Sequence, residues 1–205
     1  MTLMSNMKLI SAAVITAGFA LASQAALAYN AGDVFVRGGV AQTDTGSGNG
    51  NVAGDSLSVD DARGLTFGVG YLFTDKVGIE LNSSEEVEHD LSVAGSGVGS
   101  IDRMPVNLLL NYYPLGGLDS RVQPYVGAGL NYTHFSSEPS GFSVDESYGA
   151  IAQAGVDLAI TQNIMLNGYV SYADVNADIN ASGIGKVGEV DMEPVTIGGG
   201  ITYRF

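Results

Sequence analysis

The chain of 205 residues has no cysteine. That excludes a disulfide framework and thiolate chemistry. Basic residues are also scarce, with eight Lys and Arg against 22 Asp and Glu and a net charge of −14. Nucleic acid is a poor partner for such a surface, because phosphates are held by clustered cations. Histidine occurs only at His89 and His134. Beyond residue 28 no apolar run approaches the roughly 20 residues that a membrane-crossing helix needs.

What is present begins with an export pattern. Lys8 is the only charge before Asp33, and the stretch from Leu9 to Leu21 is apolar or small apart from Ser11 and Thr16. Ala26-Leu27-Ala28 follows as a small-x-small cleavage pattern. Residues 1–28 therefore read as a secretory signal cut after Ala28, and the apolar core is too short for an anchor. Residues 29–205 contain no dividing linker and no internal repeat, and they read as one domain. An exported chain without disulfides needs another source of stability. A closed β-barrel supplies it by pairing every backbone group and leaving no sheet edge.

The chain ends Ile201-Thr202-Tyr203-Arg204-Phe205, apolar and polar in alternation. This resembles the last strand of bacterial outer-membrane barrels, in which a terminal aromatic pair, here Tyr203 and Phe205, acts as an assembly signal. Membrane barrels are written as segments of about ten residues alternating lipid-facing and lumen-facing positions. Eight such segments occur, at residues 33–42, 62–73, 77–87, 102–113, 122–135, 146–160, 164–178 and 190–205. In the second, Leu65, Phe67, Val69, Tyr71 and Phe73 share one face, and Gly64, Thr66, Gly68 and Gly70 share the other. The prediction is all-β: an eight-stranded antiparallel, up-and-down transmembrane barrel. Thr74-Asp75-Lys76, Thr161-Gln162-Asn163 and the stretch from Pro114 to Arg121 are short connections, and the other four are longer, polar and acidic. Short turns belong on the periplasmic side and long loops outside. The first long loop, residues 43–60, is rich in Gly, Ser and Asn and is expected to be mobile. Inward glycines such as Gly68, Gly70, Gly127, Gly129, Gly198 and Gly200 make room in a lumen only wide enough for side chains.

Parity also predicts the lumen. With Phe205, Tyr203 and Ile201 facing lipid, Arg37, Glu80, Asn111, Asp157 and Asn167 face inward, in one layer near the periplasmic end. The expectation is a polar plug in which Arg37 pairs with Glu80 or Asp157, because a charge inside a membrane barrel needs a partner. The same residues also read as satisfied lumen side chains, and the two readings are compatible. A ligand stopped by a plug has to leave sideways through a weak place in the wall. Proline removes a ladder donor, so Pro105 marks the expected exit, flanked by Met104 and Leu109. Alternatively, Pro105 lies near a strand rim, where proline costs little.

Several stretches carry a family resemblance. Gln123-Pro124-Tyr125-Val126-Gly127-Ala128-Gly129-Leu130-Asn131-Tyr132-Thr133 resembles the fifth strand of the OmpW family. Gly64-Leu65-Thr66-Phe67 with the run from Thr74 to Leu81 resembles its second hairpin, and Tyr148-Gly149-Ala150 with Gly155-Val156-Asp157 its sixth strand. Ala31-Gly32-Asp33 with Arg37-Gly38-Gly39 resembles its beginning, and Pro194 with the run from Gly200 to Phe205 its end. The resemblance implies an eight-stranded outer-membrane barrel that takes up small hydrophobic molecules passively through a side opening, with no cofactor. The partners expected are outer-membrane lipid and lipopolysaccharide, the barrel assembly machinery and a small hydrophobic ligand, with the barrel a monomer. Three departures fall where a transport route would be lined. Met104-Pro105-Val106 has one proline where the family has two, Ser83-Ser84-Glu85-Glu86 replaces Ala-Thr-Pro-Phe, and the seventh strand lacks tryptophan.

Two other classes compete. His134-Phe135-Ser136 puts a His and a Ser on one strand face, as in lipid A deacylases, but a hydrolase also needs an oriented acid and oxyanion donors. No catalytic residue is assigned. The acidic runs Asp55, Asp60, Asp61 and Glu85, Glu86, Glu88, Asp90 would serve a structural or surface-interaction barrel. Their spacing does not match an EF-hand, so no metal site is assigned.

Overall fold

The structure, a computed structural model, describes residues 29–46, 49–52, 54–59, 61–136 and 142–205, with the backbone alone at residues 58, 88, 89, 91, 98, 99 and 142. The expected signal segment and Asp60 lie outside the described residues.

Among the described residues fourteen strands run in chain order: β1 (Val34–Asp44), β2 (Gly50–Val52), β3 (Asp55–Val59), β4 (Ala62–Leu72), β5 (Val77–Ser84), β6 (Val87–Val93) and β7 (Ser96–Tyr112). They continue with β8 (Val122–Ser136), β9 (Phe142–Val144), β10 (Ser147–Ala159), β11 (Ile164–Ala173), β12 (Val175–Ala181), β13 (Gly185–Met192) and β14 (Val195–Arg204). Eight of them close a ring in the order β5-β4-β1-β14-β11-β10-β8-β7, with β5 pairing back onto β7. Every neighbouring pair is antiparallel. This is the expected eight-stranded barrel.

Period-two alternation explains its outer surface. Val40, Leu65, Phe67, Leu110, Leu130, Ile197 and Ile201 are all at least half exposed, whereas their strand neighbours turn inward. A closed belt of exposed aliphatic and aromatic side chains is a lipid-facing surface. The seam joins the chain ends: β1 meets β14 from Phe35↔Arg204 to Asp44↔Val195, and the Phe205 amide donates to the Val34 carbonyl at 2.9 Å. Tyr203 and Phe205 pack edge to face on the outside, 4.9 Å between ring centroids.

The long connections differ from expectation. Residues 43–60, read as a mobile loop, contain β2 and β3. With β6, β9, β12 and β13 these extend the wall above the barrel in the order β7-β6-β3-β2-β13-β12-β9. The reason is short-range alternation: Leu57 and Val59 in β3, Val175, Ala177 and Ile179 in β12, and Val190 and Met192 in β13 turn one apolar face inward and bury it together. Four predicted segments also change their bounds by more than two residues. The fourth begins at Ser96 rather than Asp102. The third ends at Ser84 rather than Val87, which opens β6. The seventh ends at Ala173 and resumes as β12 after Asp174. The eighth begins at Val195, after Pro194, while Val190 belongs to β13. Proline ends ladder pairing because it has no N–H to give.

Close packing inside the ring depends on small residues. The Phe35 ring, 1% exposed, lies across Gly70, where any Cβ would overlap it. We expect Gly70→Val to lower stability in urea by about 1–3 kcal/mol through overpacking. Phe35→Ala in the same chain should recover part of that loss, which rules out a purely local backbone effect.

Candidate functional site

The floor of the lumen is built around Arg37, which β1 projects inward. Its guanidinium bridges two carboxylates, Glu80 on β5 at 3.1 Å and Asp157 on β10 at 2.8 Å. Its Nε donates to Thr202 Oγ1 at 3.0 Å and its Nη1 to the Tyr125 hydroxyl at 3.0 Å. The carboxylates are satisfied in turn. Glu80 accepts from Asn111 at 2.7 Å, and Asp157 accepts from Asn167 and from the Tyr29 hydroxyl, each at 2.9 Å. All five residues singled out from parity therefore meet in one network, in which Arg37 holds both acids. Below it Tyr29, Phe35, Leu72, Tyr113, Tyr125, Ala159 and Met165 form a buried apolar layer. At the periplasmic rim Arg204 pairs with Asp33 at 3.5 Å.

Above the floor, three asparagines on adjacent strands form a hydrogen-bonded row across the inner wall. Asn131 donates to Asn107 at 2.6 Å, and Asn107 donates to Asn82 at 2.9 Å. Register explains the row, because Asn107 lies directly opposite both other residues.

Immediately above this row the wall is broken. The β5–β7 ladder runs from Val77↔Tyr112 to Ser83↔Val106, and pairing resumes between β6 and β7 at Val87↔Arg103. Ser84, Glu85 and Glu86 thus stand opposite only Met104 and Pro105. The Pro105 carbonyl accepts from the Ser83 hydroxyl at 2.7 Å, so it points toward β5. N–H and C=O of one antiparallel residue point to the same neighbour. The donor that proline lacks is therefore missing on the broken side, while the β7–β8 ladder through Pro105↔Thr133 continues. Glu85 turns away from β7 and seals the other neighbour, its carboxylate accepting from the Leu65 amide at 2.8 Å.

A lumenal cavity reaches this break from within. It has about 960 Å³ of space, part of it open to solvent, and its lining includes Arg37 and Glu80 below and Ser83, Ser84, Val87, Arg103 and Pro105 at the break. Ile151 and Ala173 also line it, and they belong to one apolar cluster with Ile101, Phe135 and Val175.

Of the three residues expected at an exit, Pro105 lines the cavity at the break and Met104 faces outward beside it. Leu109 does not belong there. It points inward, fully buried, pairs opposite Glu80 and Gly129, and packs in the apolar cluster with Ile101, Phe135 and Ile151 rather than lining the cavity. The difference of five between 104 and 109 puts them on opposite faces. Sequence reading missed Tyr29, Tyr113 and Tyr125 in the floor, the asparagine row, and Arg103. Lumen parity was available for most of these, but it does not say which inward residues meet.

His134 lies half-exposed, 3.6 Å from Glu146, and among the described residues no hydrogen bond joins it to Ser136. Among the same residues no group of three or more His, Asp or Glu is placed to hold a metal ion.

Known proteins share this architecture. The OmpW family profile matches residues 30–205. Outer membrane protein W of Escherichia coli (strain K12) is 31% identical over 202 residues, covering 90% of this chain and 94% of that protein. The crystal structure of outer membrane protein OprG from Pseudomonas aeruginosa superposes with a TM-score of 0.77 at 33% identity, over 87% of this chain and 98% of OprG. The solid-state NMR structure of outer membrane protein AlkL in DMPC lipid bilayers shares the fold, with a TM-score of 0.68 at 20% identity, over 93% of this chain and 97% of AlkL.

Proposed function

Because this chain belongs to the OmpW family of outer-membrane proteins, we propose that it admits small hydrophobic molecules from outside and releases them sideways into the bilayer. The observation that carries this reading is the contact between the lumenal cavity and the interrupted ladder at Ser84 to Glu86 and Pro105. A straight path is opposed by the Arg37 network and the aromatic layer beneath it. Eight strands leave no wide aqueous channel. An apolar solute gains about 25 cal/mol for each Å² it removes from water, so leaving through the wall into hydrocarbon is downhill for it and uphill for a polar one.

The barrel acts as a conduit in this reading, not as an enzyme. The relatives are outer-membrane barrel proteins. No cofactor is needed, since the free energy comes from partition.

The test is transfer into liposomes carrying the refolded barrel. A small apolar fluorophore should reach the bilayer faster than in protein-free liposomes, whereas a hydrophilic fluorophore of similar size should not. No acceleration of either would move the reading to a structural or surface-interaction barrel.

A further inference from the structure

Three arginines are buried within the barrel, and only two have acids. Arg37 holds Glu80 and Asp157, and Arg204 pairs with Asp33. Arg103, on the inward face of β7 and 6% exposed, has no carboxylate within ion-pair distance among the described residues. Its Nε is buried and without any hydrogen-bond partner. It lines the cavity between Val87 and Pro105, beside the break in the wall. Among the described residues Glu80 is the one acidic residue lining that cavity. It is bound to Arg37 and lies opposite Leu109, six residues along β7, or roughly 20 Å at strand spacing.

A cation held this way is costly, because charge taken from water must be repaid by a partner. Arg37 shows how this lumen satisfies a guanidinium: it is given two carboxylates and hydroxyls. At Arg103 none of the described residues supplies a carboxylate, and the donor faces space a ligand can occupy. The neighbouring surface limits what that ligand is. Val87, Ile151 and Ala173 line the same cavity as apolar side chains, so an inorganic anion would meet the guanidinium but leave that surface unused. The planar fork matches a carboxylate in bidentate geometry.

We infer that Arg103 holds the carboxylate head of a small amphiphile, an alkyl or aryl monocarboxylate whose apolar tail lies on Val87, Ile151 and Ala173. The inference rests on the lateral-release reading and names its substrate class. Head-group capture beside the break leaves the tail free to pass into the bilayer first, and Arg103 becomes a selectivity residue that separates carboxylates from neutral solutes of equal length.

The test uses the intact barrel in nanodiscs with ¹⁵N-labelled arginine. The Arg103 Nε–Hε resonance is assigned by its absence from Arg103→Lys. Titration with hexanoate should shift it saturably, whereas hexanol and acetate should leave it in place. Arg103→Met should weaken hexanoate binding roughly tenfold or more, the value of a charge-assisted hydrogen bond. An equal response to acetate reduces the site to a simple anion site and overturns the inference, as does an unmoved resonance with hexanoate. A resonance that responds in a wild-type barrel passing no neutral probe would instead overturn lateral release. The wild-type titration decides the matter even if Arg103→Met does not fold.

Discussion

Replacing Arg37 with alanine is expected to cost about 3–5 kcal/mol of stability, the usual consequence of removing one member of a buried ionic cluster. The effect is large because the loss is not confined to two ion pairs. Glu80 and Asp157, 2% and 0% exposed, would remain in the lumen without their cation. The hydroxyls of Thr202 and Tyr125 would lose the donors they accept from. Urea unfolding followed by tyrosine emission is the appropriate measurement, since the chain has ten tyrosines and no tryptophan. Arg37→Met combined with Glu80→Gln and Asp157→Asn should recover most of the loss, because an uncharged lumen layer has no orphaned ion. If Arg37→Ala and the triple variant unfold alike, the cluster contributes packing and not charge compensation. Arg37→Lys should fall between them, as an ammonium cannot reach both acids and the Tyr125 hydroxyl with one planar fork.

Closing the wall should abolish most of the accelerated transfer of apolar solutes. Deletion of Glu86 removes the residue by which β5 and β6 exceed β7, and Pro105→Thr restores a ladder donor on the β5 side. Two new ladder bonds at about 1 kcal/mol each would favour the closed wall roughly 30-fold. Pro105→Thr alone should have a partial effect, because the extra residue still holds the strands apart. Folding of each variant is checked by its heat-modifiable mobility in SDS gels, and transfer is measured as for the native barrel. Undiminished transfer through a folded double variant would show that solutes leave by another route. Gly64 is relevant to this design, since Val87 packs over it at a distance that leaves no room for a Cβ. A deletion that pulls Val87 off Gly64 should be read against the single Pro105→Thr variant.

The extended wall changes what the outer loops can do. Residues 43–60 were expected to be mobile by composition, yet Leu57 and Val59 are buried with Ile101 and Val190. Four or five alternating residues suffice for a strand once a neighbour offers a matching apolar face, and here each such strand supplies the face for the next. Composition averages over that alternation, so it misjudged the segment. Glu85 and Glu86 are exposed.

Alternation along single strands was sufficient to determine the fold class and the lipid-facing surface, because a strand's two faces are a local property with a period of two. Leu65 to Phe73 and Ile201 to Phe205 alone specify which side meets the membrane. The inward set containing Arg37, Glu80, Asn111, Asp157 and Asn167 follows from the same parity. What parity cannot carry is the relation between strands distant in the chain. That Arg37 meets both acids, that Tyr29 reaches Asp157, 128 residues away, and that Asn82, Asn107 and Asn131 form one row depend on ladder register and barrel closure. Pro105 stands out in the sequence as a lost donor. That it faces three residues where two would fit, and that Arg103 next to it has no acid, was decided only when β5, β6 and β7 came together, since the fit of two strands is a property of neither strand alone.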